Sequence, residues 1–454
     1  MKYGIITTGS RGDVQPFIAL TLGLQKQGYS VVLMAPENFK DWIESLGIPF
    51  IPLAGNVEEI IQSPQALHLL KGGNVLRFFY HLQKIAVKTS VQANLIMLEN
   101  AEGIDFFISS ILPFPIVYSI AEKFKKPCSG IFLSMPGTPT QEFPHPVFGS
   151  FNHRWFNRFS YQVMELGWWM IKKRVNIFRT QIGLPETKHW KKYISDNPLI
   201  LYPMSRQLLS QPNDWPSNTH VTGFLQMTPA NREHHTMDKT PKGLTEWLEK
   251  GSKPYYLGFG SIPIPDTLLF CNVLSDLLKN HDCRIVFCTG WSLLPDMPEH
   301  PNLFVCQYIN HDWLLPKCKA AIFHGGIGTI GAVLKSKIPM IILSVLADQP
   351  HNGDLIAGKR LGVHIPFRKL SAEKLWNAME VTQTQQILES VLAIGHSIVL
   401  DDGVTEVICQ LEKYNASCKT ILNFASIFNV FFIGILTHCQ YQIIQVGYKY
   451  AYFY

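Results

Sequence analysis

From its first residues this chain alternates short apolar runs with longer amphipathic stretches. Residues 3–7, 30–35 and 50–53 are apolar runs of strand length, and residues 17–27 and 39–46 between them carry helical spacing. Strands that are apolar throughout, each followed by a helix, predict a parallel sheet buried on both faces. Residues 105–109, 129–133 and 199–202 are further buried-strand candidates, with a predicted helix at 116–124. The alternation restarts at 255–259 and runs through a helix at 268–279 and strands at 284–288, 303–307 and 320–323. A helix and a strand at 339–345 follow. The predicted fold class is therefore α/β, with two Rossmann-like halves facing each other across a cleft.

A polar stretch with two prolines and two histidines, 226–243, reads as the linker between the halves. The expected division is a first domain at 1–225, the linker at 226–243 and a second domain at 244–414, whose last helix packs back on the first. The segment 136–158 is loop-like and leads into an aromatic helical stretch containing Trp168 and Trp169. Such an excursion is a candidate wall for an acceptor pocket, together with the apolar positions from Leu112 to Phe114. The final segment, 415–454, departs from the pattern. Its apolar run at 421–436 is shorter than the roughly twenty residues that span a bilayer, and the chain ends in the aromatic sequence YKYAYFY. It reads either as a tail touching a membrane surface or docking a partner, or as a terminus packed on the domain or disordered.

Composition narrows the class. The chain has 454 residues, 46% of them hydrophobic, which suits two full cores of roughly 150 to 220 residues each. A net charge of +6, with no long basic run, leaves no nucleic-acid footprint. Nine cysteines without a CxxC pair or a metal-ligand spacing read as reduced thiols and predict no metal site. Residues 3–8 run straight into Gly9 and Arg11, as in a first strand and not a signal peptide. A cytoplasmic location is the expectation, peripheral at a membrane if the tail binds one.

The candidate chemistry lies in two turns. In AAIFHGGIGTIGAVLKS, residues 320–336, a strand meets His324 and a cluster of Gly325, Gly326 and Gly328, then Thr329 and a helix. Glycines let the backbone turn and approach a ligand closely, and a helix N-terminus attracts an anion. After the next apolar run come Asp348 and Gln349, able to pair with sugar hydroxyls. Near the N-terminus, GSRGDVQP places Ser10, Arg11 and Asp13 after the first strand, where open α/β sheets hold their ligands. Asp13 there is either a chemical base or a helix cap.

The order strand, HGGxGT, helix, strand, Asp-Gln, with GxRGDxxP in the other half, resembles the family 1 glycosyltransferases. The sterol-glucosyltransferase and antibiotic-glycosyltransferase branch is the nearest match. The resemblance covers about residues 1–414 and implies the GT-B fold and an inverting, metal-independent transfer of a hexose. Glucose from a UDP-sugar is the expected donor, and a hydroxyl of a hydrophobic small molecule, sterol or lipid is the expected acceptor. No cofactor is implied beyond the UDP-sugar co-substrate. Asp13 takes the place of the family's general base, and His324 the place of its α-phosphate contact. Thr329 and the N–H groups of Ile327 and Gly328 would meet the β-phosphate, Ser261 faces the diphosphate, and Asp348 with Gln349 holds the donor hexose. Ser10 and Arg11 would reach the diphosphate from the opposite half, although Arg11 also suits a solvated surface. Trp313, in INHDWLLP, is either the platform for the nucleotide base or a packing tryptophan. The chain departs from the family at Phe323, where a histidine is common, and at Ile327, where alanine is common. Two other readings stay open: a sugar-nucleotide epimerase or hydrolase of the same fold, and a non-catalytic nucleotide-sugar-binding protein.

Overall fold

The computed structural model describes residues 1–418 and 420 except for 73–74, 86, 135, 149–152, 196–197, 229–230, 232–238, 293, 295–296 and 298. Half of the linker, 229–230 and 232–238, and residues 421–454, hence nearly all of the aromatic tail, lie outside the described residues. The chain forms two compact units, Met1–Ile408 and Cys409–Tyr454; in the second, residues 409–418 are helical.

Within the first unit the chain begins β1 (Lys2–Ile6), α1 (Arg11–Lys26), β2 (Ser30–Pro36), α2 (Lys40–Ser45) and β3 (Phe50–Leu53). Four helices follow, α3 (Val57–Ile61), α4 (Pro64–Lys71), α5 (Val75–Ile85) and α6 (Val87–Glu99). The half continues with β4 (Phe106–Ser109), α7 (Phe114–Phe124), β5 (Cys128–Ile131), α8 (Arg154–Ser160), α9 (Val163–Gln181), β6 (Leu199–Tyr202) and β7 (Thr219–Val221). The seven strands are parallel, in the order β3-β2-β1-β4-β5-β6-β7. Helix α1 starts six residues before the predicted one because Pro16 lies inside it. The carbonyl of Gly12, which Pro16 cannot bond, belongs to an exposed residue of the first turn and is open to solvent.

The second half contains β8 (Tyr255–Gly258), α10 (Thr267–Asn280), β9 (Ile285–Cys288), β10 (Leu303–Cys306) and α11 (His311–Leu314). It is completed by β11 (Ala321–Phe323), α12 (Ile327–Lys335), β12 (Met340–Ser344), α13 (Gln349–Gly358) and β13 (Gly362–Pro366). Its six parallel strands run β10-β9-β8-β11-β12-β13. All five residues of β12 are buried, as a strand covered on both faces requires. Full burial of a side chain such as Ile342 contributes about 1.5–3 kcal/mol.

In each sheet the strand order reverses once, between β1 and β4 and between β8 and β11. The crevice at such a reversal is where doubly wound sheets hold ligands. The turns after β1, β8 and β11 carry Asp13, Ser261 and His324. Helices α3–α5 reach across to the second half: Gln62 donates to the Trp291 carbonyl at 3.3 Å, and Leu346 packs with Ala66, Leu70 and Phe78. The exposed ion pair Lys71–Asp266, at 3.3 Å, adds little by comparison.

Candidate active site

In the turn after β1, Gly9 has φ +130°, a conformation L residues rarely adopt. A Cβ there would also collide with the Asp13 carboxylate. Asp13 is the third residue of α1, and its Oδ2 accepts from the Ser10 N–H at 2.8 Å and the Ser10 hydroxyl at 3.1 Å. It is therefore a helix cap, and both bonds end on one oxygen, so Oδ1 remains for a substrate proton. Burial raises the Asp13 pKa above its ordinary 3.8, and the Asp348 charge adds to the rise, while the Ser10 bonds restrain it. The Ser10 hydroxyl proton is thus directed at the Asp13 carboxylate. Arg11 lies over the Trp42 ring at 5.1 Å and donates to Gln15 Oε1 at 3.1 Å. Its charge is felt at Tyr256 and Tyr308 of the second half, so it borders the cleft.

Across the cleft, Phe323 pairs with Gly258 in register, so His324 leaves the sheet beside the Gly260–Ser261 turn. A Cβ at Gly260, itself at φ +59°, would lie 3.6 Å from His324 Cε1. Burial lowers the His324 pKa to about 4, which keeps the ring neutral near pH 7. Its buried Nδ1 has no partner among the described residues. An orphaned buried nitrogen at the start of an uncapped helix fits an anion. Gly325 has φ +96°, and a Cβ on Gly326 would lie 2.6 Å from His324 Nε2, so both glycines are dictated locally. Gly328 faces open space and Thr329 is half-buried beside it on α12. The two family departures are accommodated: Phe323 is core, and Ile327 packs against that core.

Asp348 and Gln349 divide their work. Asp348 is half-buried, its pKa raised by burial against a restraining bond from Asn352. Gln349 is buried, and its Oε1 accepts from the Val345 and Leu346 N–H groups at 2.8 and 3.1 Å. Its carbonyl thus shapes the loop, leaving Asp348 to present the acceptor oxygens. Asn352, unread in the sequence, donates to the Gly325 carbonyl at 2.9 Å and to Asp348 Oδ2 at 3.2 Å, tying the glycine turn to the Asp348 carboxylate. Its position one turn beyond Asp348 was the available signal. Behind this loop, Ser344 Oγ is 2.8 Å from His364 Nε2, and His364 Nδ1 is 2.8 Å from Asp354 Oδ1. This run of bonds resembles a hydrolytic triad, yet Ser344 is buried and the adjacent Val345 and Leu346 N–H groups already donate to Gln349 Oε1, so it braces the loop.

Trp313 is half-buried against the core, with the Lys317 ammonium 4.1 Å above its ring. This geometry gives it packing work and leaves less ring for a base. Histidines enter from both halves: His145 stands edge-on to Tyr161 at 5.4 Å, and its pKa is lowered to about 4 by burial and by the nearby His351. The apolar positions expected to wall an acceptor pocket divide between core and surface. Trp168 and Phe114 are core, whereas Leu112, Trp155, Phe159, Leu166 and Trp169 face solvent. Helix α9 turns Trp168 inward, which places its neighbour Trp169, about 100° around the axis, outward.

Residues 3–97 match the glycosyltransferase family 28 N-terminal domain, and residues 273–413 match the erythromycin biosynthesis protein CIII-like C-terminal domain. A sterol 3-beta-glucosyltransferase of Arabidopsis thaliana is 30% identical over 430 residues, 91% of this chain and 68% of its own length. Another from the same plant is 30% identical over 92% of this chain and 66% of its own. The sterol 3-beta-glucosyltransferase of Komagataella phaffii is also 30% identical, over 90% of this chain and 34% of itself. The chain thus spans about two thirds of the plant relatives' length and about one third of the yeast one's. Among solved structures, the glycosyltransferase of kitacinnamycin has a TM-score of 0.67 at 16% identity, covering 91% of this chain and 98% of its own. The spinosyn forosaminyltransferase SpnP has a TM-score of 0.63 at 13% identity, covering 92% and 99%.

Proposed function

Because the chain belongs to the GT-B glycosyltransferase family that contains the sterol 3-beta-glucosyltransferases, we propose that it transfers glucose from UDP-glucose to a hydroxyl of a hydrophobic acceptor, a sterol or related lipid. Asp13 takes the acceptor proton as the hydroxyl oxygen bonds to the anomeric carbon. The bond from that carbon to the diphosphate breaks on the opposite face, so the configuration inverts and UDP leaves with the electron pair. A carboxylate with a raised pKa is a better base for this step than an ordinary one. His324 and the N-terminus of α12 receive the diphosphate, Arg11 and Ser261 border it, and Asp348 positions the hexose. This charge set needs no metal.

What supports the reading is the orphaned, buried Nδ1 of His324 at the start of uncapped α12, together with Asp13 in the turn after the first strand of the other half, one carboxylate oxygen of which is left by the Ser10 bonds. The test is mass spectrometry of UDP-glucose with a panel of sterols and other hydroxylated lipids. A product heavier than the acceptor by one hexose supports the proposal. Turnover of the donor to free sugar or an isomer without acceptor would replace it with hydrolysis or epimerisation. The location consistent with this chemistry is cytoplasmic and peripheral, and the aromatic composition of 415–454 is one candidate for membrane contact. Among the described residues no helix is long and apolar enough to cross a membrane.

A further inference from the structure

Helix α9 is apolar on two faces. Trp168, Val175 and Phe178 are buried in the core, as expected of an amphipathic helix. On the outer side Leu166, Trp169 and Ile177 follow the spacing i, i+3, i+11 and are exposed, Trp169 by 76%. The preceding α8 also exposes Trp155, by 69%, and Phe159 one turn later. Only Tyr161 and Gln162 separate the two helices, and bonds from the Gln162 N–H to the Phe159 carbonyl and from the Met164 N–H to the Tyr161 carbonyl carry the chain across. An exposed row of this size marks an interaction surface, because leaving large aromatics in water has a cost that folding alone does not require.

The flanking charges select the partner. Arg154, Arg158 and Lys173 are exposed on the same two helices, with Lys172 half-buried beside them. Glu165 is the single acidic residue between 143 and 185, and it is engaged by the Trp190 and Lys191 N–H groups. A two-fold contact with a second copy would set these basic residues against themselves. An anionic bilayer supplies both an apolar layer for Trp155 and Trp169 and a negative surface for the lysines and arginines. We propose that α8 and α9 form a monotopic docking surface for an anionic membrane, with the tryptophan rings seated at the headgroup level. The surface is independent of which acceptor is used and of the segment 415–454.

Flotation of the full chain with vesicles of phosphatidylcholine alone, or with about a third phosphatidylserine, tests the assignment. The full chain is expected to float with the anionic vesicles and to be released by salt. A Trp155→Ser, Trp169→Ser variant should partition about tenfold or more weakly, and Lys172→Glu, Lys173→Glu should lose the preference for anionic lipid. Both variants should keep the melting temperature and the turnover of a detergent-solubilised acceptor, because Trp155, Trp169 and Lys173 are exposed and Lys172 is half-buried, so the buried core is left untouched. Unchanged flotation of the tryptophan variant would overturn the proposal and assign any binding to another segment. Dimerisation without vesicles that the tryptophan variant abolishes, or absence of flotation, would overturn it equally.

Discussion

Replacing Asp13 by Asn separates the two roles of this residue, the helix cap and the base. The amide oxygen of Asn can still accept from the Ser10 N–H and hydroxyl, bonds of 2.8 and 3.1 Å, so the turn is retained. What disappears is the proton acceptor, and general-base catalysis supplies about 10²- to 10⁴-fold, or roughly 3–5 kcal/mol of barrier. Turnover should fall by that factor while UDP affinity stays within about twofold. Stability should move the other way. The folded-state pKa of Asp13 lies above its unfolded value of 3.8, so its stabilising contribution is complete below that pH and is lost as pH rises through the folded pKa. Asn does not ionise, so the variant should match the wild type in melting temperature near pH 3.5 and exceed it at pH 7. Asp13→Ala, which also removes the cap, should lie about 1 kcal/mol below Asp13→Asn at both pH values. Kinetics with calorimetric UDP titration and melts at the two pH values check these outcomes. Wild-type turnover in Asp13→Asn would refute the base assignment, and a lower melting temperature at pH 7 would refute the account of its burial.

His324→Ala should weaken UDP binding about tenfold by calorimetry, the worth of one hydrogen bond to a charged group. With a ring pKa near 4, wild-type UDP affinity should gain nothing from His324 protonation between pH 8 and 6; a marked rise on acidification would contradict a neutral ring. The depressed His324 and His145 values, against 6.5 when unfolded, should also lower the melting temperature progressively as pH falls from about 6.5 toward 4. Gly326→Ala drives a methyl group against His324 Nε2 and should cost UDP affinity with little change in melting temperature, whereas equal affinity would mean the ring is free to move. Asn352→Ala leaves the Gly325 carbonyl without its donor and should destabilise by about 1–3 kcal/mol while raising the KM for donor; an unchanged KM would remove its bridging role. Chelation by EDTA should leave transfer intact, and loss restored by a divalent cation would show that the diphosphate needs a metal.

The sequence by itself determined the repeated strand and helix order, the parallel sheets and the placement of Asp13, Ser261 and His324 after strands. These follow from periodicity and glycine spacing, which are properties of neighbouring residues. It also exposed the cap and base ambiguity of Asp13, since both readings need only the local turn. Tertiary structure alone decided which way each side chain faces. Trp168 and Trp169 are equally apolar, yet one is core and the other solvent, because the strip of α9 that is covered depends on what packs against it. That the side-chain carbonyl of Gln349 accepts from its own loop is a fact of the folded chain, and Asn352 acquired meaning only from Gly325, distant in sequence. The altered pKa values belong here too: Asp13 is pushed up by burial and by a carboxylate more than three hundred residues away. Burial and charge act through space, and only the folded chain fixes those distances.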